Sequence, residues 1–123
     1  MNIKDFATGI DVESIDRFEK YSSDKNCSFI KRVFTEKEIE YCYSDSRIKE
    51  HLAVRFAAKE AVFKALSSLN LHVNYIDVEI INDEKGVPLV KILNNDYRDL
   101  IFRLSLSHGN GSAVASVFVM KIL

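Results

Sequence analysis

Four charged side chains lie within one predicted helix at residues 55–66. The stretch contains no Gly or Pro and is rich in good helix formers, so we expect about three continuous turns. Apolar groups cover most of its circumference, and Arg55 and Lys59 form one charged stripe. Glu60 and Lys64 form a second stripe. This pattern is typical of a mostly buried helix whose charges need partners. Glu60 could bind a cation, or it could form an i,i+4 ion pair with Lys64.

A second carboxylate, Asp11, stands where a predicted strand gives way to a helix. It could simply cap that helix. If the strand packs against the central helix, however, Asp11 and Glu60 converge. Two carboxylates with positions left open for water and phosphate are what Mg²⁺ accepts. The cations Arg55, Lys59 and Lys64 suit phosphate oxygens. These residues together predict a site for a metal–phosphate substrate.

His108 lies at the mouth of a predicted hairpin, beside Gly109. As a turn residue it could bond a nearby carbonyl, since no Asp or Cys lies close in the sequence to form a triad or a metal cluster. The chain contains no Walker-type glycine-rich loop, no nucleophile elbow and no metal-spaced pair of histidines. The sequence patterns of the common phosphotransferases and hydrolases are therefore absent.

The helices that must position these residues are predicted in the first half of the chain. Ser14 can cap a short helix that runs to about residue 20. Thr35 and Glu38 match a capping box, which begins a second helix that runs to about residue 43. The third and longest helix covers residues 49–69.

Strands are predicted at residues 6–12, 76–80, 87–93, 101–107 and 112–122. In the second of these, Ile76, Val78 and Ile80 alternate with acidic residues, which predicts one buried face. Asn110-Gly111 favours a tight hairpin with positive φ angles between the last two strands. This order of elements predicts an α+β domain, in which a long central helix packs on an antiparallel sheet.

Length and composition predict a single domain over residues 1–123. The formal net charge of −1 removes any global electrostatic case for binding nucleic acid or anionic membranes. No apolar run is long enough to span a membrane and the N-terminus lacks a signal-peptide pattern, so we expect a soluble, cytoplasmic protein. Cys27 and Cys42 are too few for a zinc site or a disulfide framework, and Cys42 is expected to be a reduced thiol in the core.

Several fragments, taken in order, closely resemble the signature of 4′-phosphopantetheinyl transferases. The first two are Gly9-Ile10-Asp11 and, after a gap of roughly 45 residues, the run FAAKEAVFK at residues 56–64. The resemblance extends from about residue 8 to about residue 117, with shorter matches at residues 32–38, 41–42, 82–88 and 105–108. The short chain length is similar to that of the holo-acyl carrier protein synthase subfamily. One departure is Ser67-Ser68-Leu69, which replaces the usual glycine-rich turn after the helix.

This resemblance implies a reaction and the residues that perform it. Phosphopantetheine passes from coenzyme A to a serine of an apo-acyl carrier protein, and adenosine 3′,5′-bisphosphate is released. Asp11 and Glu60 are implied to bind Mg²⁺, while Lys59 and Lys64 assist at the phosphates. The serine proton passes to a metal-held water or to Glu60. Catalysis is thus assigned to Glu60, Asp11 and Lys64.

The same resemblance implies contacts with the coenzyme and with the carrier. Arg55 and Pro88 contact the coenzyme, and His108 forms a wall of its pocket, contributed by a neighbouring subunit of a homotrimer. Arg17 begins a surface that docks the acidic carrier. The sequence does not specify whether that carrier serves fatty acid, polyketide or another synthesis. The alternatives are a protein of the same fold that binds coenzyme A without transfer, and a purely structural trimer.

Overall fold

The computed structural model describes residues 2–94 and 96–122. In chain order, its helices and strands are β1 (Ile3–Ser14), α1 (Ser28–Val33), α2 (Glu36–Cys42), α3 (Ile48–Ser68), β2 (Val78–Asn82), β3 (Pro88–Ile92), β4 (Leu100–Gly109) and β5 (Ser112–Ile122). Two 3₁₀ segments, Ile15–Tyr21 and Tyr75–Asp77, follow β1 and precede β2. The strands form an antiparallel sheet of order β1-β5-β4 and a separate β2-β3 pair. The predicted α+β fold is confirmed.

The central helix α3 packs on the three-stranded sheet through small side chains. Ala61 and Ala65 are fully buried. Strand β1 approaches α3 so closely that a Cβ atom added to Gly9 would lie 1.9 Å from the carbonyl oxygen of Ala61. Val117, which pairs with Gly9 in the sheet, is buried beneath the same helix. The first strand therefore lies against the central helix, which is the condition for Asp11 and Glu60 to approach each other.

A second cluster of apolar residues surrounds the N-terminal half of α3. Its large, fully enclosed members come from the first 3₁₀ segment, from α1 and its end, and from α3 itself: Phe18, Ile30, Phe34 and Leu52. Cys42 is 0% exposed in this cluster, so the prediction of a core thiol is confirmed. The helical first half thus has a core of its own beside the sheet.

The helix starts agree only in part with the sequence prediction. The capping box of α2 is present, since Thr35 Oγ1 accepts from the Glu38 N–H and Glu38 Oε1 accepts from the Thr35 N–H. The side chain of Ser14 makes no capping bond to any described residue. The N–H of Ile15 instead donates to the carbonyl of Gly111 at 2.9 Å, which ties the first 3₁₀ segment to the last hairpin. Helix α1 was not predicted, because its six residues carry no side-chain cap.

Strand β2 differs from the prediction of one buried face. Ile76 lies in the second 3₁₀ segment and is 46% exposed. Val78 and Ile80 are buried as expected, but Glu79 between them is buried as well. Its Oε2 accepts from Thr35 Oγ1 at 2.6 Å, so the first helices cover the face that was expected to meet solvent.

The end of α3 explains how the chain manages without a glycine-rich turn. Asn70 takes a positive φ of 59°. Its N–H donates to the carbonyl of Ser67, and the N–H of Leu71 donates to the carbonyl of Leu66. This pair of bonds is the Schellman arrangement, in which Asn can replace Gly. The helix therefore ends in a regular cap at the point where the sequence departs from the family pattern.

The hairpin between β4 and β5 has the predicted turn. Asn110 and Gly111 have φ values of 52° and 79°. Among residues 2–94 and 96–122, no helix is both long and apolar enough to cross a membrane.

Candidate active site

Asp11 and Glu13 on β1 form a small acidic cluster with Glu60 on α3, between the strand and the helix. Alternation along β1 puts Gly9, Asp11 and Glu13 on the side that faces α3. Burial and the neighbouring carboxylates of Asp11 and Glu60 together raise the pKa of Glu13 to about 7, although Arg17 opposes this shift. Both carboxylates are therefore within electrostatic reach of Glu13. Sequence reasoning missed Glu13, although its place two residues after Asp11 on a strand could have indicated it.

The cluster fits a divalent cation. Asp11 Oδ2 is buried and has no hydrogen-bond partner among the described residues. A buried carboxylate oxygen without a partner is costly unless it binds a cation. In the described part of the chain, no group of three or more His, Cys, Asp or Glu side chains has the geometry to hold a metal. A cation held by Asp11 and Glu60 would take its other ligands from water and phosphate oxygens, as Mg²⁺ commonly does.

Lys64 belongs to this cluster, but through Asp11 and not through Glu60. Its Nζ donates to the carbonyl of Ile10 at 2.8 Å and to Asp11 Oδ1 at 3.2 Å. The alternative of an i,i+4 ion pair between Glu60 and Lys64 is therefore wrong for the described structure. The Lys64 side chain is 56% exposed, so its charge remains accessible at the site.

Tyr75 is a second residue that sequence reasoning missed. Its hydroxyl donates to Glu60 Oε1 at 2.7 Å. Burial and the bond to Glu60 raise its pKa to about 12, so the hydroxyl is protonated at neutral pH and acts as the donor. The partners are 15 residues apart on different elements. No local sequence pattern could have indicated this contact.

Lys59 does not occupy the phosphate-binding position that was predicted for it. It is 0% exposed. Its Nζ lies 2.7 Å from Glu38 Oε1 and 2.8 Å from the carbonyl oxygen of Tyr75, and it also donates to the carbonyl of Val78. Three acceptors use all three ammonium hydrogens. Burial lowers the pKa of Lys59 and raises that of Glu38. Lys59 is a core residue that joins α3 to α2 and β2.

Arg55 is also largely enclosed, at 4% exposure. Its guanidinium carbon lies 4.0 Å from the centre of the Tyr41 ring, and one terminal nitrogen donates to Asn82 Oδ1 at 3.2 Å. The Nε atom is buried and has no partner in residues 2–94 and 96–122. Arg55 thus faces the β2-β3 pair and not the acidic cluster.

Arg17 projects from the first 3₁₀ segment beside the cluster. One of its terminal nitrogens lies 2.8 Å from Glu13 Oε1, and its side chain is 58% exposed. The guanidinium carbon also lies 5.4 Å from the centre of the Phe18 ring and 5.7 Å from that of Phe56. The structure therefore holds this exposed cation in one place, next to the residues that would bind the metal.

A cleft of about 1040 Å³ opens beside the cluster, between the second half of α3 and residues 70–77. Phe63, Leu66 and Tyr75 form part of its apolar wall, and Lys31 and Arg32 stand among its lining residues. Tyr75 therefore both lines this cleft and contacts Glu60. The arrangement offers carboxylates for a cation and an accessible lysine, and Tyr75 connects them to the cleft.

A sequence model described as the ACPS 4′-phosphopantetheinyl transferase superfamily matches residues 7–117. The chain belongs to this superfamily. The predicted family is thereby confirmed, and so is the prediction that the chain is an enzyme, a phosphopantetheinyl transferase.

Curated relatives match this transferase over nearly their whole length. The holo-[acyl-carrier-protein] synthase of Geobacter sp. (strain M21) is 40% identical over 125 residues, which cover 94% of this chain and 98% of the relative. The synthase of the same name from Clostridium tetani is 42% identical over 113 residues, with 87% and 89% covered. Relatives with this name do not favour the alternative of a protein that only binds coenzyme A.

Solved structures agree with the fold of the transferase. An ACPS–CoA complex from Chronobacterium ammoniagenes has a TM-score of 0.81 at 26% identity, with 98% of this chain and 100% of that chain covered. A holo-(acyl-carrier-protein) synthase from Bacillus anthracis in complex with CoA (3′,5′-ADP) has a TM-score of 0.74 at 34% identity, with 94% and 96% covered.

Two residues predicted to contact the coenzyme lie away from the acidic cluster of this transferase. Pro88, at the start of β3, lines a cleft of about 420 Å³ together with Asn82, the partner of Arg55. His108 is exposed near the end of β4 and pairs with Ala113, which in turn pairs with Glu13. His108 is thus two strand spacings from Glu13, about 9.5 Å between backbones. Within one chain, the fold joins neither residue to Asp11 and Glu60.

Proposed function

We propose that the protein transfers 4′-phosphopantetheine from coenzyme A to a serine hydroxyl of an apo-acyl carrier protein, in a Mg²⁺-dependent reaction that releases adenosine 3′,5′-bisphosphate. The observation that carries the proposal is the pair Asp11 and Glu60 in a chain of the phosphopantetheinyl transferase superfamily. One oxygen of Asp11 is buried and has no partner in the part of the chain that the structure describes. The holo-synthase names of the relatives and the solved CoA complexes support this pair of substrates.

The residues of the cluster have distinct roles in this reaction. Asp11 and Glu60 hold the cation, which when bound neutralises the charge that builds on the pyrophosphate. Lys64 lies 3.2 Å from Asp11 and is exposed enough to turn toward a phosphate oxygen. The serine proton passes to Glu60 or to a water beside it. Arg55 is a further candidate for a phosphate contact, since its Nε has no partner among the residues that the structure describes.

The test is to incubate the protein with coenzyme A, Mg²⁺ and an apo-acyl carrier protein, and to measure the carrier by mass spectrometry. We expect the carrier to gain one phosphopantetheine group and adenosine 3′,5′-bisphosphate to appear in equal amount. Glu60→Gln keeps the side-chain volume and removes the charge, so it should abolish transfer while the circular dichroism spectrum stays unchanged. A carrier that gains no mass, or a Glu60→Gln variant that remains fully active, would contradict the proposal.

Carrier docking is assigned to Arg17. Its exposed guanidinium, fixed by Glu13 and by the rings of Phe18 and Phe56, presents a positive charge beside the cluster. Arg17→Ala should raise the KM for the carrier and leave the Kd for coenzyme A, measured by calorimetry, unchanged. Arg98→Ala, at an arginine whose side chain is 90% exposed on a loop, is the matched control. Equal losses for both substrates would show that Arg17 does not dock the carrier.

We also propose a homotrimer in which His108 and Pro88 complete the coenzyme pocket of a neighbouring chain. The support is the outer face of β1, where Phe6, Ile10 and Val12 are 62%, 61% and 60% exposed. Phe6 stacks on Phe118 of β5, so the patch extends across two strands. A contiguous apolar sheet face of this kind is usually covered by another subunit.

Light scattering on the eluting protein measures the assembly. We expect three times the chain mass of 14.1 kDa, and Phe6→Glu should yield single chains because it places a charge in the apolar face. Ile76→Glu, at a residue of the second 3₁₀ segment that is 46% exposed, should leave the assembly intact. A wild-type protein that elutes as a single chain would refute the trimer.

A further inference from the structure

We propose that Tyr75 is a positioning residue for the metal site: its hydroxyl holds the Glu60 carboxylate in the orientation that binds the cation. This inference rests on the proposed metal role of Glu60. Tyr75 Oη donates to Glu60 Oε1 at 2.7 Å. Within the described part of the chain Glu60 Oε2 makes no hydrogen bond, so the contact fixes one oxygen and leaves the other for a ligand.

Two phenylalanine rings pack against the ring of Tyr75. It stacks on Phe56 with ring centres 5.8 Å apart and an angle of 21° between the planes. Phe63 packs against it at 4.8 Å and 59°. Both phenylalanines belong to α3, the helix that also carries Glu60. The hydroxyl therefore has little freedom to move relative to the carboxylate.

The Tyr75 backbone is anchored as well. Its carbonyl accepts from Lys59 Nζ at 2.8 Å, inside the core. The second 3₁₀ segment that begins at Tyr75 is closed by a reciprocal pair of bonds between Asn74 and Asp77. Lys59, which cannot reach a phosphate, thus contributes to the site indirectly, because it fixes the residue that fixes Glu60.

Glu60 needs such a partner because its own helix provides none. Lys64, one turn later, is engaged with Asp11 and the carbonyl of Ile10. A glutamate with three rotatable bonds at a half-buried position would otherwise sample several orientations. Hydrogen-bond partners behind a metal-binding carboxylate typically change metal affinity by about 10–100-fold.

The test compares Tyr75→Phe with Tyr43→Phe. Each removes one hydroxyl and keeps the ring. Tyr43 is the matched control because its hydroxyl also makes a bond of 2.7 Å, to the carbonyl of Tyr21, away from any metal-binding carboxylate. Mn²⁺ serves as the probe, since it takes the same oxygen ligands as Mg²⁺ and its free aqua ion is measured directly by electron paramagnetic resonance. Binding is titrated with the metal alone, without coenzyme or carrier.

We expect Tyr75→Phe to raise the Kd for Mn²⁺ by about tenfold or more, while Tyr43→Phe leaves it at the wild-type value. In transfer assays, Tyr75→Phe should raise the Mg²⁺ concentration needed for half-maximal rate by the same factor and leave the KM for the carrier unchanged. Thermal unfolding of the two variants should differ little. A Tyr75→Phe variant that binds Mn²⁺ as tightly as Tyr43→Phe would overturn the inference.

The outcomes separate this inference from the proposed function. The proposed function fails if the wild-type protein binds Mn²⁺ yet transfers nothing. In that case the comparison of the two variants still decides the role of Tyr75. The inference alone fails if the wild-type protein transfers phosphopantetheine but the Tyr75→Phe variant binds Mn²⁺ with unchanged affinity.

Discussion

Replacing Gly9 by alanine should both destabilise the protein and weaken the metal site. The added Cβ would lie 1.9 Å from the carbonyl oxygen of Ala61 and 2.9 Å from its carbonyl carbon. Real Cβ atoms essentially never come closer than 3.0 Å, so strand and helix must separate by about 1.1 Å at this point. The added Cβ is attached directly to the backbone of β1, and the Ala61 carbonyl is part of the backbone of α3. Neither can rotate away as the end of a long side chain would.

The cost follows from that separation. A radial gap of 0.5–1 Å loses about a quarter to a half of the dispersion energy between the atoms on either side. Here those atoms belong to the buried contact between β1 and α3. Overpacking by one methyl typically costs about 1–3 kcal/mol. We expect about 3 kcal/mol, because the clash is between backbones. For a chain of this size, that loss corresponds to a thermal unfolding midpoint about 10 °C lower. A domain of ordinary stability should still fold.

Thermal and urea unfolding at fixed protein concentration measure this cost, because concentration affects the midpoint of an oligomer. Gly109→Ala is the matched control, since a Cβ at Gly109 meets nothing within 4 Å. Asp11 lies two residues beyond Gly9 on the same strand face, so Gly9→Ala should also raise the Kd for Mn²⁺. A Gly9→Ala variant as stable as Gly109→Ala would refute the close approach of strand and helix.

Three further predictions concern buried groups away from the cluster. Lys59→Met should lower the free energy of unfolding by about 3–5 kcal/mol in urea titrations, because it leaves the Glu38 carboxylate buried and unpaired, and Glu38→Gln added to it should restore part of the loss. In the folded protein, mass spectrometry after maleimide treatment should find Cys27 labelled and Cys42 unlabelled, because Cys42 is 0% exposed and burial raises its pKa to about 12. Burial raises the pKa of Tyr43 from 10.0 to about 12, so the unfolded state loses this proton first and stability should fall between those pH values; Tyr43→Phe should make that fall smaller in urea titrations at high pH.

The features that the sequence predicted correctly depend on short-range geometry. The capping box joins Thr35 and Glu38, which are three positions apart, and the Asn110-Gly111 turn involves two adjacent residues. Each pattern has one structural solution that satisfies its backbone donors or its φ angles. The long helix follows in the same way from its composition. Where a pattern closes locally, the residues alone are enough to identify it.

The features that the sequence missed depend on partners far along the chain. Glu79 was expected to face solvent, but Thr35, 44 residues away, covers it. Helix α1 has no capping side chain, so only its packing in the second apolar cluster explains why it forms. The hydroxyl of Tyr75 likewise gains its role only when Glu60 is brought next to it. Such contacts depend on how elements pack, which periodicity and propensity do not encode.

Lys59 and Glu60 show how one step along a helix separates fold from function. Adjacent residues differ by about 100° around the axis, so Lys59 points into the core toward Glu38, while Glu60 points along the side that Tyr75 and β1 border. The sequence pattern placed both residues at the site, because the pattern alone does not distinguish a buried charge with a core partner from one that faces the site. The structure separates them by their partners: three acceptors fix Lys59, whereas in the described part of the chain one oxygen of Glu60 makes no hydrogen bond. Removing the first charge should therefore destabilise the fold, and removing the second should leave a stable, folded protein without a metal.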